Sequence, residues 1–153
     1  MREDGIKVLA VNRKARHEYE IEESQEAGLV LTGTEIKSIR EGKVNLQDSF
    51  ARIEGGEVWV HHMHVSPYEA GNRYNVDPLR PRKLLLHRRE IERLRGKVEQ
   101  RGLTLLPLRV YLRDGRAKVE LALARGKRLH DRREDIARRT AERDVERALR
   151  ERE

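Results

Sequence analysis

The chain has 153 residues, and 34 Lys and Arg against 27 Asp and Glu leave it a formal charge of +7. Hydrophobic residues at 37% allow one modest core, and the absence of cysteine excludes disulfides and thiolate metal sites. The charge predicts an anionic partner, nucleic acid or an acidic membrane surface; no apolar run approaches the ~20 residues of a membrane span, and the opening MREDGIKVLAVNRK lacks the apolar stretch of a secretory signal, so a cytoplasmic location is expected.

Ile6–Val11 is a short apolar run that predicts a first strand, and Asn12–Arg16 interrupts it with bases. His17–Glu23 alternates, with His17, Tyr19 and Ile21 on one side and Glu18, Glu20 and Glu22 on the other. Ala27–Leu31 continues as a buried strand. Thr32-Gly33-Thr34 breaks it, and Thr34 is the expected N-cap of a short helix, Glu35–Arg40, which buries Ile36 and Ile39 and stops at Gly42. Asn45–Glu54 and Glu57–Val65 read as strands joined by a tight turn at Gly55-Gly56.

Ser66–Pro81 is a long loop punctuated by Pro67, Gly71, Pro78 and Pro81. Lys83–Leu86 leads into a helix over His87–Arg101, whose apolar face is Ile91, Leu94 and Val98 and whose end is Gly102. Leu103–Leu112 and Arg116–Ala124 form a second hairpin about Asp114-Gly115. The expected fold is mainly β with flanking helices: a closed, antiparallel, six-stranded barrel with an OB-like core.

The patterned body is expected over residues 1–124 and a basic tail over 125–153. At their junction Arg125, Lys127, Arg128, Arg132, Arg133, Arg138 and Arg139 cluster, a density of cations that suits a phosphate backbone better than a core. The tail's apolar residues, from Leu129 through Ile136, Ala141 and Val145 to Leu149, draw only a thin stripe at helical spacing. The tail is therefore expected to be disordered alone and helical against a polyanion; a solvated, frayed terminus is the alternative.

His61, His62 and His64 invite a metal, because His62 and His64 share a face if the segment is a strand. No cysteine joins them and no carboxylate partner is apparent, so no metal or other cofactor is expected. Nucleophile-elbow, phosphate-loop and dinucleotide patterns are absent, and nothing argues for an enzyme. The basic segments say more. Asn12, Arg13, Lys14 and Arg16 cluster before a strand, and Arg80, Arg82 and Lys83 after the long loop. Tyr68, Tyr74 and His17 supply flat rings that can stack on unpaired bases or pack on the body.

Four segments in order, NRKARHEYEIEE at 12–23, EAGLVLTGTEIKSIREGKVNLQDSFARI at 26–53, HVSPYEAGNRYNVDPLRPRKLLLHRREI at 64–91 and GLTLLPLRVYLRDGRAKVELALARGKRLHDRREDI at 102–136, closely resemble the SmpB family. Its members are the protein partners of transfer-messenger RNA (tmRNA) in trans-translation. The resemblance implies an antiparallel barrel that binds the tRNA-like domain of tmRNA and escorts it to stalled ribosomes, with the C-terminal tail in the decoding centre and empty mRNA channel. It implies an RNA face including Asn12, Arg13, Arg16, His17, Glu26 and Leu85. His87 stands where some members have Asn. Glu26 would accept from a base amino group, or else orient nearby arginines such as Arg13 or Arg16. In the tail, Gly126, Lys127, Arg128 and His130 precede Asp131, Arg132 and Arg133, which match the family's Asp-Lys-Arg motif; with Arg138 and Arg139 these are the expected ribosome contacts. Two other readings remain: a general single-strand binder of OB type, which the low aromatic content disfavours, and a metal-dependent nuclease built on His62 and His64.

Overall fold

The computed structural model describes residues 5–68, 75–127, 140–141 and 143–150. Nine strands and three helices follow in the order β1 (Ile6–Val11), α1 (Arg13–Glu18), β2 (Tyr19–Leu29), α2 (Gly33–Arg40), β3 (Val44–Asn45), β4 (Phe50–Glu54), β5 (Glu57–His61), β6 (His64–Val65), β7 (Arg82–Leu85), α3 (Arg88–Arg101), β8 (Thr104–Arg113) and β9 (Arg116–Gly126).

Both glycine-marked turns form as the sequence predicts. Gly55 and Gly56, at φ of 59° and 77°, join β4 to β5, and Asp114 and Gly115, at 51° and 78°, join β8 to β9. Two adjacent left-handed residues match the twist of the flanking strands. Antiparallel pairing then runs β8–β4–β5–β7–β2–β9 and back to β8, a closed ring of six strands, with β1 added outside along β8. The ring encloses the main core, to which Val58, Val60, Leu84, Val110, Val119, Leu121 and Leu123 contribute. Ile39 of α2 and Ile91 and Leu94 of α3 pack into the same core.

Several local assignments differ from expectation. His17–Glu23 and Ala27–Leu31 are one continuous strand, β2, because Ile21/Glu23 takes a bulge that absorbs the register change. The basic interruption after β1 is a helix, α1, and it carries His17 out of the strand. Lys83–Leu86 is mostly strand rather than helix lead-in, since β7 fills the gap between β5 and β2. α2 is capped by Thr32, not Thr34: Thr32 Oγ1 accepts from Glu35 N, and the Glu35 carboxylate accepts from Thr32 N. β9 runs two residues beyond the expected body boundary at 124, and Lys127 N donates to Glu18 O just after it.

One buried ionic cluster ties these parts together. Glu35 is 3% exposed and Arg82 0%. Arg82 Nε donates to Glu35 Oε2 at 2.5 Å, while its terminal nitrogens donate to Met63 O at 2.6 Å and Pro78 O at 3.1 Å. Arg80 Nε adds a bond to Glu35 Oε2 at 3.0 Å. Burial disfavours the Glu35 charge, but the guanidiniums of Arg80 and Arg82 and the Thr32 N–H outweigh it and hold the carboxyl below its ordinary value of 4.5.

Glu35→Gln leaves the Arg82 charge buried without its counter-ion and is expected to cost about 3–5 kcal/mol of stability. The wild-type carboxylate contributes stability above its ordinary value of 4.5, and that share is lost as pH falls through its lowered folded value. Urea unfolding on both sides of that pH checks this: the gap between wild type and Glu35→Gln narrows on the acid side.

Candidate nucleic-acid interface

The side chains of β8, β9 and β2 divide cleanly between two faces. Leu105, Val110, Val119, Leu121, Leu123, Ala27 and Leu29 point into the ring. The opposite, outer face carries Leu106, Leu108, Ala122, Ala124, Tyr19 and Ile21 at one end, and Ala15 of α1 covers them as a second small core. A bulge between Pro107 and Arg109 shifts the alternation of β8 by one, so that Arg109, Tyr111 and Arg113 continue this outer face. Lys118 and Glu120 flank them on β9, paired with Tyr111 and Arg109, and across β9 lie Gly28 and Glu26 of β2.

α1 owes its position to Asn12. Its Oδ1 accepts from Ala15 N at 3.2 Å, capping the helix, and its Nδ2 donates to Pro107 O at 3.0 Å. Asn12 is 6% exposed, so the expected surface contact is instead the residue that fastens α1 to β8. The helix turns Arg13, Lys14, Arg16 and His17 outward. Lys14 reaches Asp48 at 3.2 Å and Glu18 at 3.8 Å, which leaves Arg13, Arg16 and His17 without an ion pair among the described residues.

Glu26 sits at the centre of the polar half of the face. Its Oε1 accepts from Tyr111 Oη at 2.7 Å and from Arg113 Nε at 2.8 Å. Its partner is thus Arg113, not the Arg13 or Arg16 suggested by the sequence. Burial works against the Glu26 charge, yet the two hydrogen bonds and the Arg113 and Lys118 charges prevail and hold its carboxyl low. The Tyr111 phenol, 2% exposed, is pushed up to about 12 by burial and by donating to that carboxylate.

A concavity joins Glu26 and Lys118 to Gly28, Leu85, Leu86, His87 and Glu90. Leu85, an apolar side chain that is 53% exposed, stands over Gly28, where an added Cβ would come within 3.1 Å of it. The sheet therefore brings Glu26, Leu85 and His87 together from three separate segments. It withdraws Arg82 and much of Arg80 to Glu35, which contradicts a surface contact for Arg82: a guanidinium with three buried partners has no edge left for a phosphate. Lys83 lies on β7 against Glu57 at 2.8 Å. Sequence reasoning missed Arg109, Tyr111, Arg113 and Lys118, although the alternation Arg109-x-Tyr111-x-Arg113 and Lys118-x-Glu120 marks a polar strand face.

The histidines do not form a paired strand face, because His62 takes φ of 60° and breaks the chain between β5 and β6. His61 stacks on Phe50 and bonds Glu54 Oε1 at 3.1 Å, and no cluster of three metal-binding side chains exists among the described residues. Tyr68 lies under Lys37 Nζ, 5.6 Å from the ring centroid, and Tyr74 lies outside the described residues. Of the expected tail contacts, Gly126 ends β9 and Lys127 follows it; Arg128, His130, Asp131, Arg132, Arg133, Arg138 and Arg139 lie outside the described residues. Residues 143–150 are helical and exposed, with Val145 and Leu149 each 59% accessible. Among the described residues no helix is long and apolar enough to cross a membrane.

The family model for SmpB protein matches residues 9–151. The SsrA-binding protein of Desulforudis audaxviator is 64% identical over 150 residues, covering 98% of each chain. That of Geobacillus thermodenitrificans is 64% identical over 147 residues, covering 96% of this chain and 95% of its own. Among solved structures, a chain described as "tmRNA-SmpB: a journey to the center of the bacterial ribosome" is similar with a TM-score of 0.67 and 55% identity, over 82% of this chain and 92% of that one.

Ultraviolet titration of the tyrosines should resolve one phenol near 12, assigned to Tyr111. Glu26→Gln removes the charge that opposes its ionisation and should bring that transition down towards the ordinary 10.0, short of reaching it because burial persists.

Proposed function

The chain belongs to the SmpB family, and from that membership we propose that it binds tmRNA through the tRNA-like domain and delivers it to stalled ribosomes for rescue and peptide tagging. One observation carries the site: Glu26, Leu85 and His87, distant in sequence, line a single concavity with Lys118 on the sheet face that α1 also covers. In this reading the six-stranded ring is an OB-like barrel, acting in the cytoplasm. Arg13, Arg16 and His17 of α1 and Lys118 of β9 supply phosphate contacts that fix orientation, while Glu26, Leu85 and His87 meet the features that distinguish a tRNA-like fold. No step of this is catalytic; peptidyl transfer belongs to the ribosome.

The same reading gives residues 125–153 a separate task, in the decoding centre and the empty mRNA channel. The dense cations from Arg125 to Arg139 support it, because ordering a charged segment is favourable only where a polyanion offsets the charge. Asp131, Arg132 and Arg133 lie at the base of that segment and are assigned to ribosomal RNA.

A gel shift with the tRNA-like domain, an elongator tRNA and poly-U tests the body. A chain ending after Lys127, which keeps all of β9, should retain most of the affinity for the tRNA-like domain and lose it steeply with salt. Equal binding to poly-U would overturn the assignment.

An in vitro tagging reaction beside that gel shift tests the tail. Replacing Asp131, Arg132 and Arg133 together with Ala should leave tmRNA binding nearly intact and abolish tagging. Parallel loss of both activities would put the tail in the primary RNA site; persistent tagging would make it dispensable.

A further inference from the structure

The polar half of the outer face holds two arginines in a matched arrangement. Arg109 Nε donates to Glu120 Oε2 at 2.5 Å, and Arg113 Nε donates to Glu26 Oε1 at 2.8 Å. Between them along β8 lies Tyr111, with the two guanidinium carbons 4.9 Å and 5.9 Å from its ring centroid. Tyr111 is itself locked, buried at its ring and bonded through its hydroxyl to Glu26. Each guanidinium is thus held at its Nε by a carboxylate and steadied by an aromatic ring. Burial does not remove them from solvent: the side chains are 28% and 39% exposed.

We propose that Arg109 and Arg113 are a pair of pre-oriented forks for RNA phosphates, and that Glu120 and Glu26 are positioning residues that aim them. The inference rests on the tmRNA-binding reading and extends it to residues outside the motifs that led to it. An arginine presents a planar set of five donors. Nε is the donor of Arg109 used among the described residues, so its two terminal amino groups remain for a bidentate phosphate contact. Without its carboxylate, a long side chain on a strand samples many rotamers, and ordering it opposes binding. The acids are therefore expected to help a polyanion bind, although they add negative charge to the face. Lys cannot replace Arg109, because it has neither the Nε donor nor the planar fork.

The test measures affinity of the full-length chain for the isolated tRNA-like domain across a series of salt concentrations. Arg109→Ala should weaken binding roughly 10-fold and lower the slope of log affinity against log salt by about 1, the signature of one lost phosphate contact. Arg109→Lys should restore the charge but not the affinity. Glu120→Ala should weaken binding, whereas Glu120→Gln, which keeps an acceptor for Nε, should stay near wild type. Glu26→Ala should weaken binding in the wild-type background and have little further effect on Arg113→Ala, because a positioning role vanishes with the group positioned. Tighter or unchanged binding by Glu120→Ala, or an unaltered salt slope in Arg109→Ala, overturns the proposal. If Glu120→Ala fails to fold, the Arg109 pair of variants decides alone. Failure of the tmRNA reading looks different: the wild type would then bind poly-U as well as the tRNA-like domain, whatever the Arg109 slope.

Discussion

The buried contact between Glu35 and Arg82 is the constraint on which the molecule's working face depends. The ring closes through β7, a strand of four residues that pairs with only Gly28 and Leu29 on one side and Val58, Trp59 and Val60 on the other. So short a strand contributes few ladder hydrogen bonds of its own. Arg82, its first residue, compensates by bonding α2 through Glu35, the end of the β5–β6 region through Met63 and the long loop through Pro78. An ion pair in this setting is poor as a source of net stability, since desolvation offsets much of the attraction. Its value here is geometric: a buried charge with three partners tolerates one register. Leu85 lies three residues further along the same strand, so its place opposite Gly28 is inherited from that register.

A similar logic governs the acids on the outer face. In a chain of net charge +7, carboxylates facing an RNA look misplaced. Yet Glu26 and Glu120 each accept from an arginine Nε, and Glu22 and Glu23 tie β2 to α3 and β9 through Arg93, Lys97, Arg101 and Arg125. These exposed pairs are individually weak, about 0–1 kcal/mol each. Their effect is to fix where the cations stand. The face then presents a pattern of oriented donors rather than a diffuse positive surface, which is what separates recognition of a folded RNA from generic attraction to phosphate.

Much of this was legible in the sequence, and the exceptions have physical causes. The two hairpins, the αL stop of α3 at Gly102 and the alternating inner residues of β8 and β9 follow from turn chemistry and period-two patterning, and all are present. α1 escaped because six residues between two strands are too few to express a helical period, and its single buried residue is an alanine. β7 escaped because an unbroken Lys-Leu-Leu-Leu run has no alternation to read. Thr32 and Thr34 both suit a cap, but only Thr32 stands three residues before Glu35, the spacing that lets both bonds of the box form. Arg82 was unreadable in kind: next to Arg80 and Lys83 it looks like part of a basic patch, and nothing local announces a counter-ion 47 residues away. Of the candidate site, Glu26, Leu85 and His87 converge, while Asn12 and Arg82 are structural, and the β8 residues became visible only once the bulge fixed their side of the sheet.

The junction between body and tail shows why the two can be given different tasks. β9 pairs with β2 as far as Tyr19 and Gly126, and the Lys127 amide then bonds Glu18 at the end of α1. The last residue tied to the body is therefore tied to the element that carries Arg13, Arg16 and His17. Whatever RNA settles on α1 fixes the origin of the tail. Beyond it, the helical residues 143–150 have an exposed Val145 and Leu149, and a single described ion pair there, Arg150 with Glu146 at 3.7 Å, supports the helix from within. A near-neighbour pair of that kind contributes only a few tenths of a kcal/mol, and an isolated helix of this length is marginal in water. Persistent order in such a segment has to come from an external surface, and the excess of arginine dictates that the surface be anionic. A body that is specific for one RNA and a tail that is stable only against another would make the second contact conditional on the first, which is the coupling that the proposed function requires.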